Sequence, residues 1–395
     1  MSTTSFPYQD LPQAGQAVVQ RFKVLSQQKV EVFSAPARIN LIGEHTDYNL
    51  GFVLPAAINR RLYFALAFGR KEGYLIDAHN LQKQVQINST KDPAPKALWA
   101  KYFHSMLGLL EEKGHSIPPL TCVFGGDIPI GSGLSSSSAL TGGFIYTLND
   151  LLGWSLNRVQ IARLAQAAEH RVGLNCGIMD QYAVLHGKAN QVIQLDCREV
   201  QHQYFPLDLG DYQLVLFNSM VSHSLADSAY NDRRKSCEGV VQTIQLEEPS
   251  IQSVRDIDFA LLEKHRARLS PTDHQRVLFV LKENERVQAT TQALKAGELE
   301  QVGQLLYQSH EGLSKDYEVS CEELDFLVNC IKGSPGVLGS RMMGGGFGGC
   351  TINLIHKDQL EETANKVREH YLQKFQKVPE MHIVEASEGV RKERP

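Results

Sequence analysis

Residues 127–140 carry the groups best suited to anion chemistry in this chain. The stretch reads Asp-Ile-Pro-Ile-Gly-Ser-Gly-Leu-Ser-Ser-Ser-Ser-Ala-Leu and leads into a helical pattern that repeats every four residues from Leu140. Free backbone N–H groups and the helix dipole attract anions at such a helix start. Gly131 and Gly133 let the backbone approach a ligand, and the serines add hydroxyl donors or magnesium ligands. A phosphate-binding loop is predicted; an ordinary helix cap is the alternative for the stretch taken alone.

A second polar cluster occupies the loop at residues 44–49. It holds two carboxylates, an imidazole, two hydroxyls and an amide, on Glu44, His45, Thr46, Asp47, Tyr48 and Asn49. Sugars are bound by such sets, because each hydroxyl can donate to a carboxylate and accept from an amide or an imidazole. The alternative interpretation is a solvated turn.

Two further carboxylates stand out by their position. Asp180 lies among Ile178, Met179 and Tyr182 after a glycine turn, and a carboxylate in apolar surroundings needs a partner or a function. A plain helix-start carboxylate is the alternative. Glu169 falls in the last turn of a predicted helix, where the dipole disfavours negative charge, so a specific role is indicated.

Hydrophobic periodicity predicts the elements that position these groups. Helical patterns occupy residues 17–25, 99–110, 140–152, a stretch from Ser155 or Asn157 to about Gly173, and most of 244–335, with loops at Pro249, Pro271 and Gly333. Strand patterns occupy residues 30–33, 38–42, parts of 50–90, 192–195, 214–217 and 350–355. Pro36 separates the first two strands. Period two puts Arg38 and Asn40 on one face of the second strand, which suggests a lined site rather than plain core.

Length and composition limit the function classes. A chain of 395 residues predicts two domains, which we place at 1–205 and 206–395. A net charge of −4 without a basic block argues against nucleic acid, and the longest apolar run, about 62–68, is too short to span a membrane. Seven scattered cysteines and a polar N-terminus without an apolar leader predict a cytoplasmic protein with reduced thiols.

Two common nucleotide motifs do not fit. Residues 344–349 formally match the Gly-x-Gly-x-x-Gly dinucleotide fingerprint, but they run into the strand-like residues 350–355 instead of opening a helix. The Walker pattern Gly-x-x-x-x-Gly-Lys-Ser/Thr does not occur in the chain. A dehydrogenase and a Walker-type kinase are therefore disfavoured.

The phosphate-loop candidate resembles a different kinase superfamily. Residues 129–139 resemble the phosphate loop of the GHMP kinases, and residues 38–49, Arg-Ile-Asn-Leu-Ile-Gly-Glu-His-Thr-Asp-Tyr-Asn, resemble the galactokinase signature. Further stretches match that branch, in the family's order, at 176–181, 223–226 with 230–231, 316–321 and 344–350. Together the matches extend from about residue 35 to about residue 355.

The resemblance implies an α+β, two-domain GHMP-kinase-like fold with the active site between the domains. It also implies ATP-dependent phosphorylation of galactose at the C1 hydroxyl, the first committed step of galactose catabolism. Asp180 would be the base or charge partner beside that hydroxyl. Arg38 would neutralise nearby charge, hold Asp180 ionised and stabilise the transferred phosphoryl group.

The resemblance implies binding roles as well. The sugar would contact Glu44, His45, Thr46, Asp47, Gly177 and Tyr230. ATP would contact Gly131, Ser132, Gly133, Leu134, Ser135, Ser136 and Ser137, with Trp99 and Tyr102 near the adenine. Magnesium would be held by Ser137 and Glu169. The implied partners are galactose and ATP, in a monomer or weak dimer.

A few positions depart from the family pattern. Ala37 stands where glycine is common, Met343 replaces a threonine, and Ser138-Ala139 reverses the usual Ala-Ser order. The interval between Glu169 and Asp180 is one residue shorter than usual. Two alternative functions are an N-acetylgalactosamine kinase and a non-catalytic regulator that binds galactose and ATP.

Overall fold

The computed structural model describes residues 8–129, 131–222 and 226–395 of this α+β protein. The helices are α1 (Gln13–Leu25), α2 (Leu98–Glu112), α3 (Ser136–Leu152), α4 (Arg158–Arg171), α5 (Met179–His186), α6 (Ala226–Gln245), α7 (Phe259–Lys264), α8 (Pro271–Ala296), α9 (Leu299–Lys315), α10 (Glu322–Ile331) and α11 (Leu360–Phe375). None of them, within the described ranges, is both long and apolar enough to cross a lipid bilayer.

The strands form three sheets. They are β1 (Glu31–Asn40), β2 (Phe52–Val53), β3 (Pro55–Phe68), β4 (Tyr74–Ala78), β5 (Lys83–Ile87), β6 (Leu120–Gly126), β7 (Gln191–Asp196), β8 (Gln201–Pro206), β9 (Tyr212–Ser222), β10 (Val337–Met342), β11 (Gly348–His356), β12 (Glu380–Val384) and β13 (Arg391–Lys392). The sheet orders are β13-β1-β3-β6-β4-β5, β10-β11-β9-β12 and β2-β7-β8. The predicted α+β class is confirmed. The domain boundary near residue 205 stays a prediction.

The first strand differs from its prediction. Residues 31–40 form one strand, β1, where the sequence predicts two strands separated by Pro36. The pairing of β1 with β3 shifts register between Pro36 and Arg38. Proline has no N–H to donate to a ladder, so it is accommodated at such an irregularity without ending the strand. Arg38 and Asn40 therefore continue the same strand into the site.

The helices next to the phosphate-loop candidate follow their predictions closely. α3 ends at Leu152, with Gly153 in the left-handed conformation as its C-cap. α4 begins with a reciprocal capping box between Asn157 and Gln160. Pro271, which predicted a loop, instead lies in the first turn of α8, where its missing N–H costs nothing.

Residues 385–393 return to the N-terminal sheet. β13 pairs antiparallel with β1, with Lys392 opposite Phe33. The guanidinium of the buried Arg61, on β3, donates to the carbonyls of Glu388 (2.8 Å) and Gly389 (2.7 Å). The last described strand thus completes the sheet that the first strand begins.

Candidate active site

A polar cavity of about 190 Å³ lies where the two halves of the chain meet. Its floor comes from the end of β1 and the loop that follows, its side from the start of α5, and its far wall from α6 and the glycine turn before β11. It is lined by Arg38, Glu44, His45, Asp47, Leu174, Cys176, Met179, Asp180, Tyr230, Gly344, Gly345, Gly346 and Phe347. We call it the polar cavity.

An ion pair stands at one end of the polar cavity. Arg38 Nε donates to Asp180 Oδ1 (2.7 Å) and Arg38 Nη2 donates to Asp180 Oδ2 (3.0 Å). The Arg38 side chain is 5% exposed and that of Asp180 is 22% exposed, so the carboxylate keeps one side open to the cavity. Burial alone would lower the pKa of Arg38, but the charges of Asp180, Glu44 and Asp47 outweigh it and raise that pKa.

The same ion pair is tied to the phosphate-loop candidate. Arg38 Nη1 donates to the carbonyl of Gly133 (2.7 Å), and the Arg38 backbone N–H donates to the carbonyl of Leu134 (3.3 Å). The Ser135 hydroxyl donates to Asp180 Oδ2. Ser135 sits at the N-cap of α3, so the start of this helix is linked directly to the carboxylate in the polar cavity.

Glu44 is held from the far end of the chain. Its Oε1 accepts from Arg341 Nη2 (3.1 Å) and from the backbone N–H of Gly344 (2.8 Å). Arg341 is fully buried, and its other donors go to the carbonyls of Leu41 (2.8 Å), Asn40 and Met342 (2.5 Å). The guanidinium therefore joins the strand before the glycine turn to the residues that lead into Glu44.

Burial shifts the pKa values of two residues that follow Glu44 in the same loop. Burial, and then the charge of Asp180, raises the pKa of Asp47 to about 7. Burial lowers the pKa of His45 to about 3, so its imidazole is neutral near pH 7. His45 Nδ1 lies 2.8 Å from the Tyr48 hydroxyl, and its ring lies 5.4 Å from the ring of Tyr230. A protonatable carboxyl, a neutral imidazole and a phenol thus share one wall.

Two glycine turns lie back to back beside the ion pair. Gly131 and Gly133 have φ angles of +75° and +73°, which side-chain-bearing residues rarely adopt. A Cβ on Gly344 would lie 3.4 Å from the Gly133 carbonyl oxygen, and one on Gly349 would lie 3.4 Å from that of Ser132. The turn at 344–349 thus packs against the phosphate-loop candidate at van der Waals distance, and the φ angles of +83° at Gly344 and +82° at Gly349 favour glycine there.

An apolar cavity of about 460 Å³ opens on the other side of the start of α3. Its walls come from β4, α2, β6 and α3, all in the N-terminal half. It is lined by Leu62, Ala78, Asn80, Leu81, Leu98, Trp99, Tyr102, Phe124, Gly125, Gly126, Ile128, Ser136, Ser137 and Leu140. Ser135 reaches the polar cavity and the next two serines line this one, so the apolar cavity and the polar cavity meet at the serine run.

Glu169 is buried behind the serine run. Its Oε1 accepts from the Ser138 hydroxyl (2.9 Å), the Thr141 hydroxyl (2.9 Å) and the Gln181 amide (2.8 Å). Burial raises the pKa of Glu169 against the opposing effect of these three donors. This carboxylate lies between α3 and α5, next to both the loop and Asp180.

Comparison with known proteins agrees with this geometry. Models of three families match: the galactokinase galactose-binding signature at residues 20–68, the GHMP kinases N terminal domain at 101–188 and the GHMP kinases C terminal domain at 290–373. The galactokinase of Thermotoga maritima is 39% identical over 359 residues, covering 91% of this chain and 99% of the relative. The chain belongs to the galactokinase family.

Solved structures extend the comparison. The crystal structure of Lactococcus lactis galactokinase complexed with galactose is 30% identical, with a TM-score of 0.91, over 96% of this chain and 99% of that one. The Methanococcus jannaschii mevalonate kinase shares the fold, with a TM-score of 0.63 at 16% identity over 91% of this chain and 99% of that one. The two-domain GHMP kinase fold is confirmed, and this galactokinase is an ATP-dependent sugar kinase. The family favours that function over both alternatives.

The structure brings most of the predicted residues to the two cavities. Arg38, Glu44, His45, Asp47, Asp180 and Tyr230 line the polar cavity, and Trp99, Tyr102, Ser136 and Ser137 line the apolar one. Gly131 and Gly133 are exposed on the loop between them. Ser132 and Leu134 are buried, and the Ser132 hydroxyl donates to the Pro129 carbonyl (2.8 Å), so these two residues offer a ligand backbone groups only. Ile130 and the matching residues 223–225 lie outside the described residues.

Two of the residues predicted to bind the sugar, Thr46 and Gly177, present no side chain to the polar cavity. The Thr46 hydroxyl donates to the carbonyls of Gly43 (2.9 Å) and Phe52 (2.6 Å), and Thr46 is not among the described residues that line the polar cavity. Thr46 therefore shapes the loop. Gly177 is required for a different reason: a Cβ there would lie 2.0 Å from Asp47 Oδ2. Gly177 makes room for that carboxyl.

The assignment of magnesium to Ser137 stays a prediction. Ser138 donates to Glu169, one residue beyond the Ser137 that the resemblance assigns, while Ser137 lines the apolar cavity. Sequence reasoning missed Arg341 entirely. A lone arginine ahead of two methionines and a glycine run was the available signal, because a charge in an apolar strand requires a partner.

Proposed function

We propose that this galactokinase transfers the γ-phosphoryl group of ATP to the C1 hydroxyl of galactose, at the junction of the polar cavity and the serine run. The observation that carries the proposal is the ion pair of Arg38 and Asp180. It faces the polar cavity on one side and is bonded to Gly133 and Ser135 of the loop on the other. A hydroxyl beside Asp180 is thereby next to a phosphate on the loop.

The polar cavity would hold the sugar. Glu44 and Asp47 accept bonds from hydroxyls, and the His45 Nε2 atom, buried without a partner in the described part of the chain, is directed to another hydroxyl. Tyr230 closes the side against the glycine turn, since a Cβ on Gly345 would lie 3.3 Å from its ring. The galactose complex of the Lactococcus lactis relative supports this assignment.

The reaction needs positioning and charge neutralisation more than covalent help. The C1 oxygen forms a bond to the γ-phosphorus while the bond to the oxygen that leaves with ADP breaks. Asp180 accepts the hydrogen bond of the C1 hydroxyl, directs its oxygen at the phosphorus and takes up the hydroxyl proton as the bond to phosphorus forms. The buried Arg38 guanidinium supplies fixed positive charge where negative charge crosses between the two reactants.

The loop and the apolar cavity would hold ATP. The backbone at Gly131 and Gly133 and the start of α3 receive the phosphates, and Trp99 and Tyr102 flank the adenine. Ser137 and Glu169 would hold magnesium through a hydroxyl and a carboxylate oxygen, which suit this ion. When bound, the ion would supply positive charge that neutralises the phosphates. Although no trio of His, Cys, Asp or Glu among the described residues forms a metal site, magnesium needs only one or two protein ligands beside phosphates and water.

An assay of ADP release with galactose and Mg-ATP tests the proposal. Galactose-dependent turnover supports it, and well-folded protein without such turnover contradicts it. A sugar panel that includes N-acetylgalactosamine defines the space allowed at the 2-position. Binding of both ligands without turnover would instead favour a regulator. The cytoplasmic location and the monomer or weak dimer stay predictions, for fractionation and for sedimentation.

A further inference from the structure

The described hydrogen bonds of the Glu169 carboxylate all end on one oxygen. Ser138 and Thr141 on α3 and Gln181 on α5 donate to Oε1 at 2.8–2.9 Å. All four side chains are buried, with Glu169 and Ser138 at 1% exposure. Donors that only stabilised a buried carboxylate would be expected on both oxygens, since both carry lone pairs. Three donors on Oε1 instead fix the rotation of the carboxylate, and none of the described donors bonds to Oε2.

Further contacts of the Gln181 side chain indicate that its amide is held in one orientation. Its Nε2 also lies 3.4 Å from the Cys176 Sγ, in the wall of the polar cavity. Its Oε1 is buried and has no partner among the described groups. The amide cannot simply be reversed, because a carboxylate needs the NH₂ side. An unpaired buried carbonyl oxygen costs free energy, so this side chain is held in place at the expense of its own acceptor.

We propose that Ser138, Thr141 and Gln181 are positioning residues that lock Oε1 of Glu169 so that Oε2 faces the magnesium ion of bound ATP. This inference rests on the proposed role of Glu169 as a magnesium ligand. Outer-shell partners of ligating carboxylates commonly set metal affinity in this way. It also accounts for the Ser138-Ala139 order: residue 138 points to Glu169, and Ala139 is fully buried.

Gln181 links this metal side to the sugar side. It follows Asp180 in the first turn of α5, so the amide that bonds Glu169 also fixes the helix that presents Asp180. A change at Glu169 is transmitted through one side chain to the residue beside the C1 hydroxyl.

The test separates a positioning role from a merely structural one. ATP binding is measured by calorimetry with Mg²⁺ and with excess EDTA. The dissociation constant with EDTA, divided by the one with Mg²⁺, gives a ratio that reports how much the metal strengthens binding. A structural defect weakens both measurements alike and leaves the ratio unchanged. Loss of metal positioning lowers the ratio alone.

The chain offers a closely matched control pair. Thr141→Val removes a hydroxyl that donates to Glu169, and Thr147→Val removes one on the same helix that donates to the Gly143 carbonyl (2.8 Å). Both threonines are fully buried. We expect Thr141→Val and Ser138→Ala to lower the ratio about tenfold, and Thr147→Val to leave it unchanged. Ser138→Thr, which keeps a hydroxyl, should restore it.

The Glu169→Gln variant separates the metal role of Glu169 from the positioning role of its three donors. If Glu169→Gln lowers the ratio while Thr141→Val and Ser138→Ala do not, the lock is overturned and the metal role of Glu169 stands. If Glu169→Gln leaves the ratio at its wild-type value, Glu169 is not a ligand and both claims fall. An equal loss in Thr147→Val would overturn the lock as well, because any buried hydroxyl would then suffice. Circular dichroism confirms that each variant is folded.

Discussion

The polar cavity and the apolar cavity meet at one helix start but are built in opposite ways. The polar cavity draws on both halves of the chain, and Arg341 is bonded to Asn40 and Glu44, which precede it by 301 and 297 positions. The apolar cavity is made by the N-terminal half alone and presents mostly hydrocarbon. Directional hydrogen bonds discriminate between sugars far better than shape does, whereas an adenine needs mainly a flat apolar slot. We therefore expect polar-cavity variants to change chemistry and stability, and apolar-cavity variants to change ATP affinity only.

The largest effect is expected at the junction itself. Asp180→Asn keeps the size of the side chain and removes its charge, so kcat should fall by about a thousandfold or more. Galactose and ATP should still bind, because the sugar wall and the phosphate loop are unchanged. Single-turnover assays and calorimetry measure the two properties separately. Turnover within tenfold of wild type would remove Asp180 from the reaction.

The next effect tests how far the polar cavity depends on the C-terminal half. Arg341→Met leaves Glu44 and several carbonyls without their buried partner, so the free energy of unfolding should fall by about 3–5 kcal/mol. The galactose KM should rise in the same variant. Arg171→Met is the control, because Arg171 pairs with the well-exposed Glu112 and should matter little. Urea unfolding of both variants measures the difference, and equal losses would contradict the comparison.

A smaller effect is expected at Glu44, which is proposed to hold the sugar but takes no part in the reaction. Glu44→Gln preserves an acceptor for the Gly344 N–H but loses the charge, so the galactose KM should rise about tenfold or more. The ATP KM should not change. Steady-state kinetics with each substrate varied in turn provides the measurement. A rise in both constants would show that the two cavities are not independent.

The pH dependence of galactose binding sharpens the comparison within the polar cavity. Burial raises the pKa of Asp47 to about 7 and lowers that of His45 to about 3, so of these two residues Asp47 is the one that titrates between pH 6 and pH 8. If the sugar binds the ionised carboxylate, its KM should fall about tenfold over that range as the ionised fraction rises. Asp47→Asn should remove the dependence.

The same shift has a consequence for stability. The folded pKa of Asp47 lies above its ordinary value of 3.8, so the folded protein keeps this proton to a higher pH than the unfolded chain does. The contribution of Asp47 therefore lowers the free energy of unfolding as pH rises from about 4 to about 7. Asp47→Asn should flatten that part of the stability profile, and an unchanged profile would contradict the raised pKa.

The smallest effect belongs to the apolar cavity. Trp99→Leu keeps an apolar wall but loses an aromatic face, so the ATP KM should rise about three- to tenfold. The galactose KM and the free energy of unfolding should change little. A galactose KM that rises in parallel would show that the apolar cavity also shapes the sugar site.

The sequence predicts local features of the fold and site well, because they depend on nearby residues. The start of α4 with its capping box, the end of α3 at Gly153 and the anion-binding character of the serine run are set by patterns a few residues long. The register inside the serine run, meaning which of its hydroxyls bonds Glu169, is not set by such a local pattern. That register depends on Glu169, 31 residues away from Ser138, which selects one hydroxyl among four equivalent ones.

Long-range pairs account for the rest of what sequence reasoning missed. Nothing next to Arg341 reveals that it meets Glu44, because that contact is made only when the two halves of the chain assemble. The resemblance assigns Gly177 to the sugar, but the space that this glycine leaves for the carboxyl of Asp47 is evident only when the two residues are placed side by side. Pro36 predicts a strand break because its neighbours do not show the partner strand, which absorbs the shift in register by pairing Pro36 with Arg61 and Arg38 with Ala57.

The pairing of β13 with β1 determines when the N-terminal sheet can be completed during synthesis. Arg61 is made early, yet its acceptors at Glu388 and Gly389 emerge from the ribosome more than 300 residues later. Until then its guanidinium lacks these partners and the edge of the first strand is open. The N-terminal half, which contains the phosphate loop and the whole apolar cavity, thus completes its sheet only after β13 has been translated.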